Sequence, residues 1–320
     1  AKVPISHQGP CRELMASRLR EANGRWAPSP TGHLHLGNLR TALLAWLFAR
    51  SQNGNFFWRF EDLGDASKPT FCNSQLTDVA LIGIDWDNEP IKQSDRLDYY
   101  LDSLNDLKQR GLTYRCWCSR REIRDALEAP HGLLPEDAYP GTCRRLSQKK
   151  IKEYVNSGKP PSVRLASNHE QVDFLDRQTG RYVGTVDDFV LQRSDGMPAY
   201  NLTVIVDDHL QNIQEVVRGN DLLSSTPRQI FLCSLLGLNQ PRYAHVPLVL
   251  GPSSKRLTKR DGAITLSEQM NLGLKPLDIT NMLLESLNLP TIGQINELYD
   301  IPKEFRSQDL PKDPWILDIG

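Results

Sequence analysis

The sequence lacks a net charge. Its 320 residues carry 38 Lys and Arg against 39 Asp and Glu, a balance of −1, so no chain-wide basic field announces a nucleic-acid partner and any basic patch must be local. No apolar run reaches the roughly 18 residues of a membrane span, which argues against a membrane protein. The opening "AKVPISHQGPCREL" has neither the charged head nor the apolar core of a secretory signal. Cysteine is sparse, with six residues, and Cys116 and Cys118 are too close in the chain to bridge easily. These features together predict a reducing, cytoplasmic setting. There is no internal repeat and no low-complexity tract. The chain is long enough for a sizeable core and for two structural units.

The order of elements is that of an α/β protein. "GRWA" reads as a short strand and runs into a Pro/Gly loop. A helix follows, with Leu36, Leu39, Leu43, Trp46, Leu47 and Ala49 near helical spacing. "NFFWRF" reads as a strand. "SDRLDYYLDSLNDLKQRG" reads as a helix with Ser94 as N-cap, Leu97, Leu101, Leu104 and Leu107 as its stripe, and Gly111 at its end. Strand, loop, helix, strand, helix predicts a Rossmann-type parallel sheet. Residues 112–187 change character: they hold three cysteines, several turns and short β-like runs ("SVRLA", "QVDFL"), as an insertion would. Beyond them "DFVLQR" is expected to turn at "SDG" and return as the strand "YNLTVIVDD". A helix is expected over 225–236, with Pro227 near N1 and Gly237 past its end. "YAHVPLVLG" reads as a strand, "SSKRLTKRDG" as a basic loop, and the rest as helical and leucine-rich. The expected division is an unassigned extension (1–23), the first catalytic half (24–111), the insertion (112–187), the second half (188–266) and a short C-terminal helical region (267–320).

"RWAPSPTGHLHLGN", residues 25–38, sits between strand and helix. A helix N-terminus offers free N–H groups and the positive end of a dipole, and glycine lets a ligand approach the backbone. His33 and His35 add donors suited to phosphate oxygens. The competing reading is an ordinary turn with surface histidines.

Other segments remove that ambiguity. His35-Leu36-Gly37-Asn38 resembles the His-Ile-Gly-His nucleotide motif of class I aminoacyl-tRNA synthetases, and the Arg-x-Ala-Pro-Ser-Pro-Thr-Gly around it resembles their glutamyl branch. "KRLTKRDG" resembles Lys-Met-Ser-Lys-Ser, with Arg256 to Arg260 in its frame. "RFED", "YNLTVIVDDH" and "VVRGNDLLSSTPRQ" also resemble that branch, in order, over residues 24–285. The resemblance implies adenylation of an amino acid by ATP, with Mg2+ accompanying the nucleotide. That chemistry needs positioning and charge stabilisation, with no covalent bond to the protein. It implies ATP contacts at His33, His35, Gly37, Asn38, Arg256 and Lys259, of which His35 and Lys259 act in catalysis. Lys259 would act as a mobile point charge. An acidic substrate needs a cation for its side chain and an anion for its ammonium. Arg25 and Arg218 suit the γ-carboxylate, Glu61 the α-ammonium, and Ser29, Ala27 and Tyr200 complete the implied glutamate site. Asp207, Asp208 and His209 are expected at a strand end lining the cleft.

Cys116, Cys118 and Cys143 provide three thiolates, and zinc wants four ligands. Chemistry alone leaves the fourth open, with His131 the usual choice. Cys-x-Cys followed by Tyr-x-x-x-Cys resembles the zinc site of the glutamyl-Q tRNA(Asp) synthetases and implies Tyr139. Ser119 with Glu122 predicts a capping box just after the pair. About 60 residues follow the basic loop, too few for the helical anticodon-binding region of ordinary glutamyl-tRNA synthetases. The short C-terminal part and the cysteine pattern both resemble the glutamyl-Q tRNA(Asp) synthetases, which implies activation of glutamate without tRNA and its transfer to queuosine in the anticodon of tRNA(Asp). A monomer binding the tRNA(Asp) anticodon stem-loop is therefore expected, with Arg120, Arg121, Arg144, Arg145, Lys149, Lys150 and Lys152 as phosphate contacts. The rival readings are a truncated glutamyl-tRNA synthetase charging tRNA(Glu), a non-catalytic RNA-binding paralogue, and a nucleotidylyltransferase. Three features depart from the family pattern: Asn38 in place of histidine, the looser basic motif, and "EDLGDASK", with Gly64 where the family has Asp, Asp65 one step late and Lys68 for arginine.

Overall fold

The structure is a computed structural model and describes residues 22–119, 121–123, 139–255, 257 and 265–317. β1 (Gly24–Trp26) leads through the Pro/Gly loop into α1 (Leu36–Arg50). All six expected stripe residues of α1 are buried, and so are Ala42, Leu44, Ala45 and Phe48 on its other faces. A helix apolar all round is a core helix. β2 (Phe56–Phe60) pairs in parallel with β1, Gly24 opposite Phe56 and Trp26 opposite Trp58. The sequence reading left α2 (Pro69–Leu81) out. Its buried residues are Cys72, Gln75, Asp78 and Val79, so half of that face is polar and shows no apolar stripe. β3 (Ile91–Lys92) extends the parallel sheet from β2.

Ser94 does not cap the next helix. It lies in a 3-10 turn (Gln93–Arg96), where its amide and hydroxyl donate to the Asp62 carboxylate at 2.9 and 2.6 Å. α2 is then followed by α3 (Leu97–Gln109), which buries Tyr100, Leu104 and Leu107; Leu97 and Leu101 are only half-buried.

β4 (Thr113–Cys116), β5 (Ser162–Leu165) and β8 (Val190–Gln192) form an antiparallel sheet in the order β4-β5-β8. α4 (Gln148–Asn156) precedes β5, and β6 (Gln171–Asp176) with β7 (Gly180–Thr185) makes a hairpin between β5 and β8.

"YNLTVIVDDHL" is a helix, α5 (Tyr200–Leu210), and the expected return strand is overturned. Residues 202–208 are all buried. A short, fully buried apolar run rich in β-branched residues looks alike as strand or helix, and the tertiary environment decides.

β9 (Glu215–Gly219) follows, then α6 (Thr226–Leu236), closed by Gly237 at φ +65° as the sequence predicts. β10 (Arg242–Val246) is parallel to β9. The amides of Gln214 and Glu215 donate to the Asn23 carbonyl at 3.0 and 3.1 Å, which sets β9 beside β1. The expected single strand "YAHVPLVLG" is broken at Pro247. β11 (Val249–Leu250) is a separate strand that pairs with β12 (Trp315–Ile316) at the C-terminal end of the described chain. α7 (Leu266–Asn271), α8 (Pro276–Glu285) and α9 (Ile301–Glu304) lie between. Ile279, Leu283, Leu298 and Ile301 from this region share one core with α1, β1 and β2. The architecture is the expected α/β parallel sheet. Loops after the carboxyl ends of β1 and β9 open side by side, the place where α/β sheets bind ligands.

Candidate active site

A cleft of about 740 Å³ opens at that point. It is lined from one side by residues 25–35 and the first turn of α1, and from the other by Val217 to Gly219, Asp221, Leu222, Leu248 and Val249. Arg25, Ala27, Ser29, His33, His35, Gly37, Asn38, Glu61, Tyr200 and Arg218 all line it. Arg256 and Lys259 lie outside the described residues. Leu257, inside the basic loop, lines the cleft, and Thr265, shortly after the loop, forms an isolated antiparallel bridge with His35. Leu257 and Thr265 therefore stand at the same cleft as the histidine turn.

His35 is the N-cap of α1. Its Nδ1 accepts from the Asn38 amide at 3.2 Å, and the Asn38 side-chain oxygen accepts from the His35 amide at 3.1 Å. This reciprocal pair explains Asn38, which serves as capping partner where the family motif ends in histidine. Burial lowers the His35 pKa. With Nδ1 accepting and the ring neutral, Nε2 carries the proton as a donor. Gly37 is required by packing: a Cβ there would fall 3.0 Å from the His35 ring and 3.2 Å from Val249 Cβ.

The loop is held from α2, which sequence reasoning missed. Gln75 Nε2 donates to the carbonyls of Gly32 at 2.8 Å and Ser29 at 3.2 Å, and its Oε1 is buried without a partner. His33 Nδ1 is 2.8 Å from Ser74 Oγ, and its ring meets Phe71 edge-on.

Three buried arginines differ in what they touch. Arg59 is fully buried among carboxylates, with Asp208 at 2.9 Å, Glu61 at 3.3 Å and Asp207 at 3.5 Å. Arg25 Nε reaches Asp208 at 3.3 Å. Arg218 is 5% exposed and forms no ion pair with an Asp or Glu among the described residues. Its contacts are neutral: His245 Nε2 at 3.0 Å, Thr226 Oγ1 at 2.8 Å and the Tyr200 hydroxyl at 3.3 Å. Glu61 is the converse. Burial pushes its pKa up and outweighs the pull of Arg59 and Arg25. The cleft thus holds an arginine without an anion and a carboxylate short of cation.

Asp207, Asp208 and His209 do not line the cleft, contrary to the expectation. Asp207 is fully buried and accepts from Arg96 Nε and the Tyr100 hydroxyl at 2.7 Å and Gln93 Nε2 at 2.9 Å, tying α5 to α3. Asp208 sits under Arg25 and Arg59, and His209 Nδ1 accepts from the Asn239 amide at 3.2 Å.

Cys116, Cys118 and Cys143 bring their sulfurs within 4.8 Å of one another. The Tyr139 hydroxyl lies 3.3 Å from Cys116 Sγ and 3.4 Å from Cys118 Sγ, and accepts from the Cys143 amide at 2.9 Å. Three soft thiols and one phenol oxygen converging this closely fit a tetrahedral metal. His131 lies outside the described residues. The capping box beside the cluster is present: Ser119 N donates to Glu122 at 2.6 Å and Glu122 N to Ser119 Oγ at 3.2 Å. Among the basic residues, Arg144 is paired with Asp188 at 3.2 Å and Lys150 with Glu153 at 2.8 Å, whereas Arg145, Lys149 and Lys152 are exposed; Arg120 lies outside the described residues. No helix among the described residues is long and apolar enough to cross a membrane.

Gly64 has no positive φ, and a Cβ there would meet only Ser67 Oγ at 3.8 Å, so its backbone does not demand glycine. Asp65 is exposed and pairs with Arg193 at 3.2 Å.

Comparison with known proteins places the chain among relatives of one kind. The chain is 51% identical to a glutamyl-Q tRNA(Asp) synthetase of Nocardia farcinica, with 92% of each chain covered. It is 42% identical to one of Symbiobacterium thermophilum, with 90% of each covered. A glutamate–tRNA ligase of Caldanaerobacter subterraneus is 36% identical over 94% of this chain but only 64% of its own. The crystal structure of a glutamate-tRNA synthetase from Elizabethkingia anophelis superposes with a TM-score of 0.78 at 26% identity, covering 93% of this chain and 68% of that one. Residues 21–315 match the family described as tRNA synthetases class I (E and Q), catalytic domain, and the chain belongs to that family.

Proposed function

We propose that the protein activates L-glutamate with ATP, without help from tRNA, and transfers it to queuosine at the wobble position of the tRNA(Asp) anticodon. The observation that carries the amino-acid part is the buried Arg218, whose partners are all neutral, facing the under-neutralised Glu61 across one cleft. A buried guanidinium is stable when a carboxylate meets it, and a buried carboxylate when a cation does. Glutamate supplies both, its γ-carboxylate to Arg218 and its α-ammonium to Glu61. The Tyr200 hydroxyl and Ser29 add hydrogen bonds, and Ala27 lines the same wall. Arg25 is engaged with Asp208, so its part is to hold that wall and add positive potential.

The α-carboxylate oxygen attacks the α-phosphorus of ATP, and the bond to the β-phosphate oxygen breaks as pyrophosphate leaves. No side chain forms a bond. The His35 Nε2–H, the first amide of α1 at Gly37, the Asn38 side chain and His33 at the rim face the phosphates. Lys259 and Arg256 act from the basic loop; its Leu257 lines the crevice and Thr265, beyond it, bridges to His35. Mg2+ accompanies the nucleotide and offsets its charge. A ring hydroxyl of queuosine then attacks the activated carbonyl, and AMP departs.

Cys116, Cys118, Cys143 and Tyr139 hold one structural zinc, which steadies the segment around β4. Arg145, Lys149 and Lys152 contact phosphates of the anticodon stem-loop. The buried free thiols suit a reducing, cytoplasmic setting, and we read the working unit as a monomer.

ATP–pyrophosphate exchange with glutamate tests the reading. Exchange without tRNA is the expected result. Exchange that appears only with tRNA(Glu) assigns the chain to ordinary glutamate charging, and none at all points to a non-catalytic RNA binder.

A further inference from the structure

Arg218 is aimed by a relay that starts in the β6–β7 hairpin. Asp176, the last residue of β6, is fully buried. Its Oδ1 accepts from the amides of Gln178 and Thr179 at 2.9 Å each, and its Oδ2 lies 2.6 Å from His245 Nδ1. These partners outweigh the effect of burial and hold its carboxyl at about 2. An ionised carboxylate only accepts, so His245 Nδ1 carries the proton and Nε2 is the acceptor. Nε2 lies 3.0 Å from Arg218 Nε, which only donates. Thr226 Oγ1, 2.8 Å from Arg218 NH2, fixes the other edge of the guanidinium.

We infer that Asp176 and His245 are positioning residues of the amino-acid site: Asp176 selects the His245 tautomer that accepts from Arg218, and so orients the guanidinium for a substrate carboxylate. The inference rests on the reading of Arg218 as that anchor. A ring of the other tautomer would turn an N–H against the Arg218 N–H and push the guanidinium aside. Phe174 on β6 packs with Tyr243 on β10, so the hairpin and the relay dock as one piece.

Asp176→Asn is the test. Its amide nitrogen must replace one of the two oxygens. At Oδ1 it would oppose the amides of Gln178 and Thr179 at 2.9 Å and that of His245 at 3.2 Å; at Oδ2 it opposes the His245 amide at 3.1 Å and the His245 ring, which can change tautomer. The second arrangement costs less, and it places a donor against Arg218 Nε. The expected result in tRNA-free exchange is a rise of about tenfold in the KM for glutamate, with the KM for ATP within about twofold, and a narrower preference for glutamate over glutamine. In a His245→Gln background, where an amide oxygen accepts from Arg218 without needing Asp176, the same substitution should raise the KM less than about twofold. An unchanged glutamate KM in Asp176→Asn overturns the inference. So does an equal loss in both backgrounds, or a loss shared by the ATP KM, either of which marks a structural role. Arg218→Met separates this from the reading beneath it: if it leaves the glutamate KM unchanged, the anchor itself is wrong.

Discussion

Arg59→Met and Arg218→Met remove the same group from similarly buried positions and should have opposite consequences. Arg59 has a fully buried side chain and neutralises three carboxylates: Asp208 at 2.9 Å, Glu61 at 3.3 Å and Asp207 at 3.5 Å. After its removal Asp207 keeps Arg96 and Asp208 keeps Arg25, but Glu61 keeps no ion-pair partner among the described residues. Orphaning a buried charge costs about 3–5 kcal/mol, and for a chain of this size that lowers Tm by roughly 4–7 °C. Arg218→Met orphans no carboxylate. It removes an uncompensated charge and leaves His245 Nε2 a substitute donor in Thr226 Oγ1, 3.1 Å away. The gain from losing a buried charge and the loss of three neutral hydrogen bonds nearly cancel, so the unliganded protein should stay within about 1 kcal/mol of the parent. Glutamate binding should suffer instead. Loss of a buried charge-assisted pair costs about 2–5 kcal/mol, at least about 30-fold in KM. Thermal unfolding with and without glutamate, beside pyrophosphate exchange, measures both. At about 100 times the parent's Kd the parent should gain roughly 2.7 kcal/mol from glutamate, and Arg218→Met at most about 0.9 kcal/mol. If Arg218→Met loses as much unliganded stability as Arg59→Met, or keeps the parent's response to glutamate, the assignment of Arg218 to the substrate is refuted.

Metal analysis should find one zinc per chain, lost in Cys118→Ser with a lower Tm; a metal-free protein of unchanged Tm ends the zinc reading. Lys259→Ala should slow exchange by at least about 100-fold at unchanged Tm, as expected for a charge that acts on the phosphates; parental kinetics would remove Lys259 from the reaction. In Gly37→Ala the new Cβ, 3.0 Å from the His35 ring, should raise the KM for ATP and leave that for glutamate near the parent's, because Arg218 and Glu61 are untouched. Stability should fall as the pH drops below 6.5. Burial lowers the pKa of His245 from 6.5 against the pull of Asp176, so the unfolded chain takes up a proton that the folded chain refuses. The slope per such histidine approaches about 1.4 kcal/mol per pH unit until its folded pKa is reached. His245→Gln should flatten that limb of the curve, and a slope equal to the parent's would show that His245 titrates freely.

Much of the fold was legible in the chain. The run from a short strand through a Pro/Gly loop into α1 and the stop at Gly237 rest on local chemistry, and each appears as expected. Two helices were not legible. α2 buries Gln75 and Asp78 on its inner face, so apolar periodicity does not reveal it, although Pro69 at its first turn was an available signal. α5 is buried along 202–208, and a run without a polar face carries no period to read.

The sequence by itself offered two histidines at a helix start and three closely spaced cysteines, because capping and metal ligation depend mainly on near neighbours. The glutamate site and Tyr139 came from the family resemblance, since spacing alone left them open. Only the tertiary structure decided which cleft arginine pairs with a carboxylate and which, among the described residues, does not. Arg25 meets Asp208 from 183 positions away, whereas Arg218 meets His245, itself fixed by Asp176 from 69 positions away. A buried charge takes its role from whatever packing brings within about 4 Å, where Coulombic energy is steep, and that proximity has no counterpart in the order of residues along the chain.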